Sequence, residues 1–167
     1  PEGGGQPADH GTLGGVAVTA VHEKNGVVFH NLEKAVEIGQ TVTGRIDWAR
    51  RFDHMQQHSG EHICSGLICS RYGCDNVGFH MGADLVTIDF NADIPWAELL
   101  EIEEQANRYI WEDHPVSIAF HRGAELEAIA YRSKKPLEGD VRIVTFPGAD
   151  CCACCGTHVL RSGQVGI

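Results

Sequence analysis

WARRFDHMQQHSGEHICSGLICS, residues Trp48–Ser70, is where the chain changes character. Before it, residues 1–47 set short apolar runs among glycines; within it, Met55, Ile63, Leu67 and Ile68 recur at mostly helical spacing. A helix is predicted here, with Asp53 as the candidate N-cap and Gly73 as the closing residue. His58-Ser59-Gly60-Glu61-His62 lies in its middle. Residues i and i+4 project from one helical face, so His58 and His62 can grip a single ion together. Gly60 gives up about 1 kcal/mol of helix propensity relative to alanine, as expected if a close partner excludes a larger side chain. His54 has drifted off that face and is expected at the surface.

A second pair stands almost a hundred residues downstream in Cys154-Cys155-Gly156-Thr157-His158-Val159. His58, His62, Cys154 and His158 together make the nitrogen and sulfur set that a tetrahedral zinc ion prefers. Cys151/Cys154 and Cys152/Cys155 each also match CxxC, a knuckle or redox spacing. A zinc ribbon would need a second CxxC, and Cys64, Cys69 and Cys74 are too widely spaced to supply one. A thioredoxin-like site would need a helix after the motif, and no helical pattern follows. The remaining cysteines read as small buried hydrophobes.

Outward from the helix, residues 1–47 read as a small barrel-like or Greek-key β module. Gly3-Gly4-Gly5-Gln6-Pro7 is a tight loop, Gly11 and Gly14-Gly15 are further turns, and Val16–Val21 and Gly26–Phe29 are strands about an Asn25-Gly26 turn. Thr41–Ile46 is a further strand. Residues 48–167 read as a mixed α+β domain with helices packed on an antiparallel sheet. Its expected elements are a strand Leu85–Phe90, a helix opened by Pro95 and striped by Trp96, Leu99, Leu100, Glu103, Ala106, Tyr109 and Ile110, and a strand Val116–Phe120. A short helix Ala124–Tyr131 and a strand Val141–Phe146 follow. Gln164-Val165-Gly166-Ile167 reads as a strand. The chain opens on Pro1, so it is read as clipped at both ends.

The 43% apolar and 22% charged residues are those of a folded globular chain. A formal charge of −10 argues against a protein that grips nucleic acid chiefly through phosphates. It leaves room for local basic surface at Arg45, Arg50 and Arg51 and at Arg132, Lys134 and Lys135. Four of seven cysteines crowd into residues 151–155 beside a histidine, which suits metal chemistry in a reducing cytoplasm better than a secreted disulfide framework. No apolar run approaches the roughly 20 residues of a membrane span.

Pro1-Glu2-Gly3-Gly4-Gly5-Gln6-Pro7, the His58/His62 pair, Gly78-Phe79-His80-Met81-Gly82 and Cys154-Cys155-Gly156-Thr157-His158-Val159 jointly resemble the alanyl-tRNA editing proteins. These AlaX-type proteins are free-standing relatives of the editing domain of alanyl-tRNA synthetase. The resemblance covers essentially the whole chain. It implies a glycine-rich loop on an N-terminal β domain and a C-terminal editing domain with one zinc held by His58, His62, Cys154 and His158. It also implies hydrolysis of the ester joining serine or glycine to the 3′ end of tRNA for alanine. Many relatives place a glutamine where His80 stands and a small hydroxyl residue where Glu61 stands.

Ester hydrolysis needs a positioned water, a base and a stabilised oxyanion. Glu61 is the candidate base, beside a ligand; His80, in a glycine-flanked loop, is the candidate to orient substrate or donate to the oxyanion. Thr157 and the loop of Gly3, Gly4, Gly5 and Gln6 are candidates for telling serine from alanine. Two other readings compete. His58-Ser59-Gly60-Glu61-His62 also fits the inverted zincin pattern HxxEH, which would add a glutamate such as Glu101 or Glu103 as a ligand. Alternatively, a closed metal site could merely stabilise an RNA-binding module. An excised editing domain of a full synthetase would share the editing chemistry.

Overall fold

Strand pairing begins from an Asn25-Gly26 turn whose residues both adopt positive φ, 53° and 77°, the geometry that matches the twist of a hairpin. It joins β2 (Val16–Lys24) to β3 (Val27–Leu32). With β1 (Gly11–Leu13) and β4 (Gly44–Ile46) they form a four-stranded antiparallel sheet in the order β3-β2-β1-β4. The computed structural model describes residues 1–166, and among them this sheet is open, not the expected barrel. The cause is length: β1 and β4 have three residues each, too few to tilt and stagger into closure. Gly11, expected in a turn, starts β1.

Helix α1 runs from Trp48 to Tyr72. Its N-cap is Asp47, whose side chain accepts from the Arg50 N–H, so the cap lies six residues before the expected Asp53. Gly73 ends it as predicted, with φ 60° and its N–H on the Cys69 carbonyl. The segment ahead of β1 is laid along the first turns of this helix. Arg51 Nε donates to Asp9 at 2.6 Å, and the Asp47 N–H donates to the His10 carbonyl at 2.9 Å.

After α1, β5 (Asn76–Met81) pairs with β6 (Val86–Phe90), so Gly78–Met81 is a strand where a loop was expected. Helix α2 (Trp96–Trp111) follows, with Pro95 at the N-cap position. Its buried side chains are Ile102, Ala106, Tyr109 and Ile110, while Trp96 at the start of the expected stripe is 74% exposed. A three-stranded antiparallel sheet, β7-β8-β9, completes the fold from β7 (Ser117–His121), β8 (Val141–Phe146) and β9 (Asp150–Ala153). The short helix α3 covers Gly123–Glu127, and the C-terminal strand is replaced by a 3-10 turn at Ser162–Gln164; Ile167 lies outside the described residues.

The core sits where α1, α2 and β8 meet: Ile63, Ala106, Tyr109, Ile110, Val144 and Phe146. Ile63, Val144 and Phe146 are wholly excluded from solvent, each contributing about 1.5–3 kcal/mol by burial. A Phe146→Ala change would cost about 3–5 kcal/mol. The other buried face of α1 is polar, with His54, His58, Glu61, His62 and Ser65 out of water. Such groups are stable only with partners.

Candidate metal centre

The two motifs converge. One ligand atom from each of His58, His62, Cys154 and His158 lies within 4.8 Å of the others. Cys154 Sγ is 3.5 Å from His58 Nε2 and 3.4 Å from His158 Nε2. Zinc–nitrogen and zinc–sulfur bonds of ordinary length at tetrahedral angles put such atoms roughly 3.6 Å apart, so the donor set fits one tetrahedral ion. The histidines arrive by one helical turn of α1, whereas Cys154 and His158 bracket a loop without helical geometry. That loop can approach α1 because residue 156 is glycine: a Cβ there would stand 2.2 Å from Cε1 of His58. Gly60, by contrast, has no such neighbour, only Val165 at an ordinary 3.6 Å.

Each histidine is held by its outer nitrogen. Gln6 Oε1 lies 3.0 Å from His58 Nδ1, Asp150 Oδ2 lies 2.7 Å from His62 Nδ1, and Ser59 Oγ lies 3.4 Å from His158 Nδ1. This arrangement leaves Nε2 of each ring toward the shared centre, the way metal-bound imidazoles are oriented. Gln6 does more, since its Oε1 also accepts the Thr157 N–H at 3.0 Å and its Nε2 donates to Thr157 Oγ1 at 2.7 Å. A tight turn, with Gly3 and Gln6 exchanging both backbone hydrogen bonds at 3.1 Å, carries Gln6 to the site. A Cβ on Gly4 would be only 3.6 Å from Cys154 Sγ, so the loop backbone lies against the cluster. Asp150 is itself gripped by Arg132, through Nε at 2.7 Å and a second nitrogen at 2.9 Å.

Charge follows geometry. Burial alone would raise the Cys154 thiol, but hydrogen bonds from His158, His58 and His62 overcome it and bring the thiol down to about 3. At neutral pH this sulfur is a thiolate, the form that binds metal. Burial opposes protonation of His62, yet Asp150 and Cys154 raise it to about 9. Burial holds His158 down at about 4. Burial also pushes the Cys152 and Cys64 thiols up to about 12 and 11, which makes them inert. A second grouping of His62, Asp150 and Cys152 shares His62 with the first. With Asp150 committed to Arg132 and the Cys152 thiol protonated, it serves as the support of His62.

Glu61 is brought to the cluster and is buried. Its Oε1 accepts from Ser65 Oγ and Asn76 Nδ2, both at 2.6 Å, while Oε2 stands 4.0 Å from His62 Nε2. His80 is not brought there. Successive strand residues face opposite ways: Phe79 turns inward and stacks on His58 with ring centroids 5.0 Å apart, and His80 points out, its side chain 71% exposed and 3.5 Å from Asp89. His54, expected at the surface, is buried at 6% exposure. Asp150 and Asn76 touch the site from outside the quoted motifs, and Ser59 and Phe79 stand within those motifs without a role assigned to them. Their partners lie up to 100 positions away, and the sequence signals were the adjacency of Ser59 to His58 and of Phe79 to His80.

Over its full length the chain is similar in sequence to proteins named alanyl-tRNA editing proteins. It is 37% identical to alanyl-tRNA editing protein Aarsd1 of Danio rerio, covering all of this chain and 42% of that protein. Identity to alanyl-tRNA editing protein AlaX-L of Pyrococcus horikoshii is 35%, covering all of this chain and 44% of that one. An alanine–tRNA ligase of Methanobrevibacter smithii is 35% identical over 99% of this chain and 20% of its own length. The chain thus spans well under half the length of these curated relatives. No protein-family profile matches it.

Proposed function

We propose that this chain is a zinc-dependent editing hydrolase that cleaves the ester between a wrong amino acid, serine or glycine, and the 3′ end of tRNA for alanine. The observation that carries the reading is the convergence of His58, His62, Cys154 and His158 with the free oxygen of Glu61 beside them. Held by all four side chains, zinc would order the pocket; held by three, it would also polarise the ester carbonyl. Glu61 has one oxygen saturated by Ser65 and Asn76, so the other is the base for an attacking water. The backbone at Gly4, which lies against Cys154, receives the carbonyl end of the substrate. Thr157 Oγ1 accepts from Gln6, which leaves its own proton for a serine hydroxyl. Alanine could not use that donor, the kind of difference that sustains selection.

Residues 1–47 would act as the N-terminal module that brings the glycine loop, and 48–167 as the editing domain. The seven cysteines are free thiols, which suits a cytoplasmic setting. Among the described residues no helix is long and apolar enough to cross a membrane. The peptidase alternative has less support: Glu101 is engaged by Arg71 at 2.7 Å, and the ligand cluster takes Cys154 and His158 in place of an α2 glutamate.

The test is deacylation of seryl-, glycyl- and alanyl-tRNA for alanine, with and without chelator, beside His62→Ala. Selective loss of the seryl or glycyl ester, abolished by chelator and by the substitution, is expected. Equal inertness toward all three esters would overturn the reading.

A further inference from the structure

Gly73 ends α1 in the left-handed conformation, with φ 60°, and turns the chain back over the last turn of the helix. A cap of this kind often brings the residue after the glycine against a side chain of that last turn. Here both positions are cysteine. Cys69 supplies the carbonyl that accepts the Gly73 N–H at 2.9 Å, and Cys74 is the first residue past the glycine. The Cys69 thiol is in hydrogen-bonding contact with the Cys74 thiol and with the Asn76 N–H. Cys74 Sγ lies 4.0 Å from the carbonyl of Ile68, the residue before Cys69, so it reaches back over the same turn.

The seven cysteines are not equivalent. Cys154 belongs to the metal cluster, burial holds Cys64 and Cys152 protonated, and Cys151 packs against Leu126, Val141 and Ile143. Cys155 is exposed on the loop that carries Cys154. Cys69 and Cys74 differ from these in facing each other. Cys74 is half-buried and open to a small oxidant, whereas Cys69 is buried at 9% exposure. Burial raises the Cys69 thiol, and the nearby Arg132 guanidinium opposes that shift. Cys74 is therefore the thiol that an oxidant meets first, and Cys69 the neighbour that resolves it.

We propose that Cys69 and Cys74 are a redox site, at which hydrogen peroxide converts the two thiols to a disulfide that staples the end of α1 to the start of β5. The Cys74 sulfur attacks one peroxide oxygen and the O–O bond breaks. Cys74 becomes a sulfenic acid, and its former proton leaves with the other oxygen as water. The Cys69 sulfur then attacks the Cys74 sulfur, the S–O bond breaks, and the hydroxyl departs with the Cys69 proton as a second water. Two electrons pass from the sulfurs to the peroxide in all, and a reduced thiol returns them by exchange. The new bond replaces an existing contact. It holds Asn76 in place and, through the Asn76 side chain, the Glu61 carboxylate 2.6 Å away. Transient pairs of this sort are the disulfides compatible with a reducing compartment.

The test treats the zinc-loaded chain with hydrogen peroxide and maps the products by mass spectrometry after digestion without reductant. Trypsin cleaves after Arg71, between the two cysteines, so their peptides stay together only if bridged. A linked pair of peptides carrying Cys69 and Cys74, lighter by two hydrogens and separated again by dithiothreitol, is expected. The oxidised chain should melt about 5 °C higher than the reduced one, the worth of closing a loop of roughly six residues. Cys74→Ser, at a half-buried position, should lose both the linked pair and the rise in melting temperature, while Cys155→Ser should keep both. Peroxide that leaves only sulfinic or sulfonic acid on Cys74 overturns the proposal. So does a bond from Cys74 to any other cysteine in the parent chain, or an equal rise in melting temperature in Cys74→Ser.

Discussion

Asp150 accepts from His62 across 2.7 Å while Arg132 grips the same carboxylate, so one buried acid both orients an imidazole and sets its charge. Asp150→Asn keeps the shape and removes the charge. Metal affinity is expected to fall about 10–100-fold, as for other outer partners of metal-bound histidines. Competition with a chromogenic chelator measures it, and an unchanged affinity would mean that Asp150 does not orient the ring.

Gln6 separates two tasks. Its Oε1 holds His58 and the Thr157 N–H, and its Nε2 holds the Thr157 hydroxyl. Gln6→Ala is expected to weaken metal binding and to cost about 1–3 kcal/mol in urea denaturation, because the Thr157 N–H loses its partner. Gln6→Glu retains the acceptor oxygen and loses the donor. It should keep the metal and narrow the ratio of seryl- to alanyl-tRNA cleavage.

Three glycines give three outcomes. Gly156→Ala would press a methyl against His58 at 2.2 Å, and reduced metal content is expected. Gly66→Ala would meet the Ala149 carbonyl oxygen at 2.2 Å, parting α1 from β9; overpacking of this kind costs about 1–3 kcal/mol in thermal or urea unfolding. Gly60→Ala has room, with Val165 3.6 Å away, and should stabilise α1 by up to about 1 kcal/mol.

That last contrast marks where sequence reading succeeded and where it stopped. The HxxxH pair was legible because helical geometry alone brings His58 and His62 together, and the CxxxH pair because few other roles need that donor set. Gly60 looked like the site of close approach, yet the crowding falls on Gly66 and Gly156, since what a glycine faces depends on remote chain. The cap was misplaced because Trp48 and Phe52 stack on each other, with Trp48 at the surface, so the first turn of α1 lacks an apolar stripe. Strand β9 was missed because Asp150-Cys151-Cys152-Ala153 has weak strand propensity and is held by its pairing with β8. His54 lines one cavity with Pro7 and the turn joining β5 to β6, neighbours that no local window contains.

The metal-free protein should show an asymmetric pH response. Cys154 is depressed to about 3 from 9.0, so its contribution is present above 9 and lost as pH falls toward 3. His62 is raised to about 9 from 6.5, so its contribution is present below 6.5 and lost as pH rises through 9. Between 6.5 and 9 the two oppose each other. His158, lowered to about 4 from 6.5, adds a loss as pH falls through that interval. Urea midpoints of chelated protein should therefore be level from about pH 6.5 to 9 and fall steeply from 6.5 to 4. Calorimetry of metal binding near pH 7.5, in buffers of different ionisation enthalpy, should show about one proton released from His62 and none from Cys154.

Glu61→Gln keeps an oxygen for Ser65 and Asn76 and abolishes the basic one. Deacylation is expected to fall about 10²–10⁴-fold with metal content unchanged. Activity within a few-fold of the parent would move the base elsewhere.

Residues 6 and 157, joined by hydrogen bonds across 151 positions, close the same pocket. During ribosomal synthesis, α1 would emerge with two imidazoles of the cluster and without Cys154 to complete the grip. Only when Thr157 and His158 have left the exit tunnel can the Gly3–Gln6 turn find its partners. Capture of an ion would thus report that the chain has been made as far as His158, and a product ending before Cys154 would lack two of the four ligand side chains.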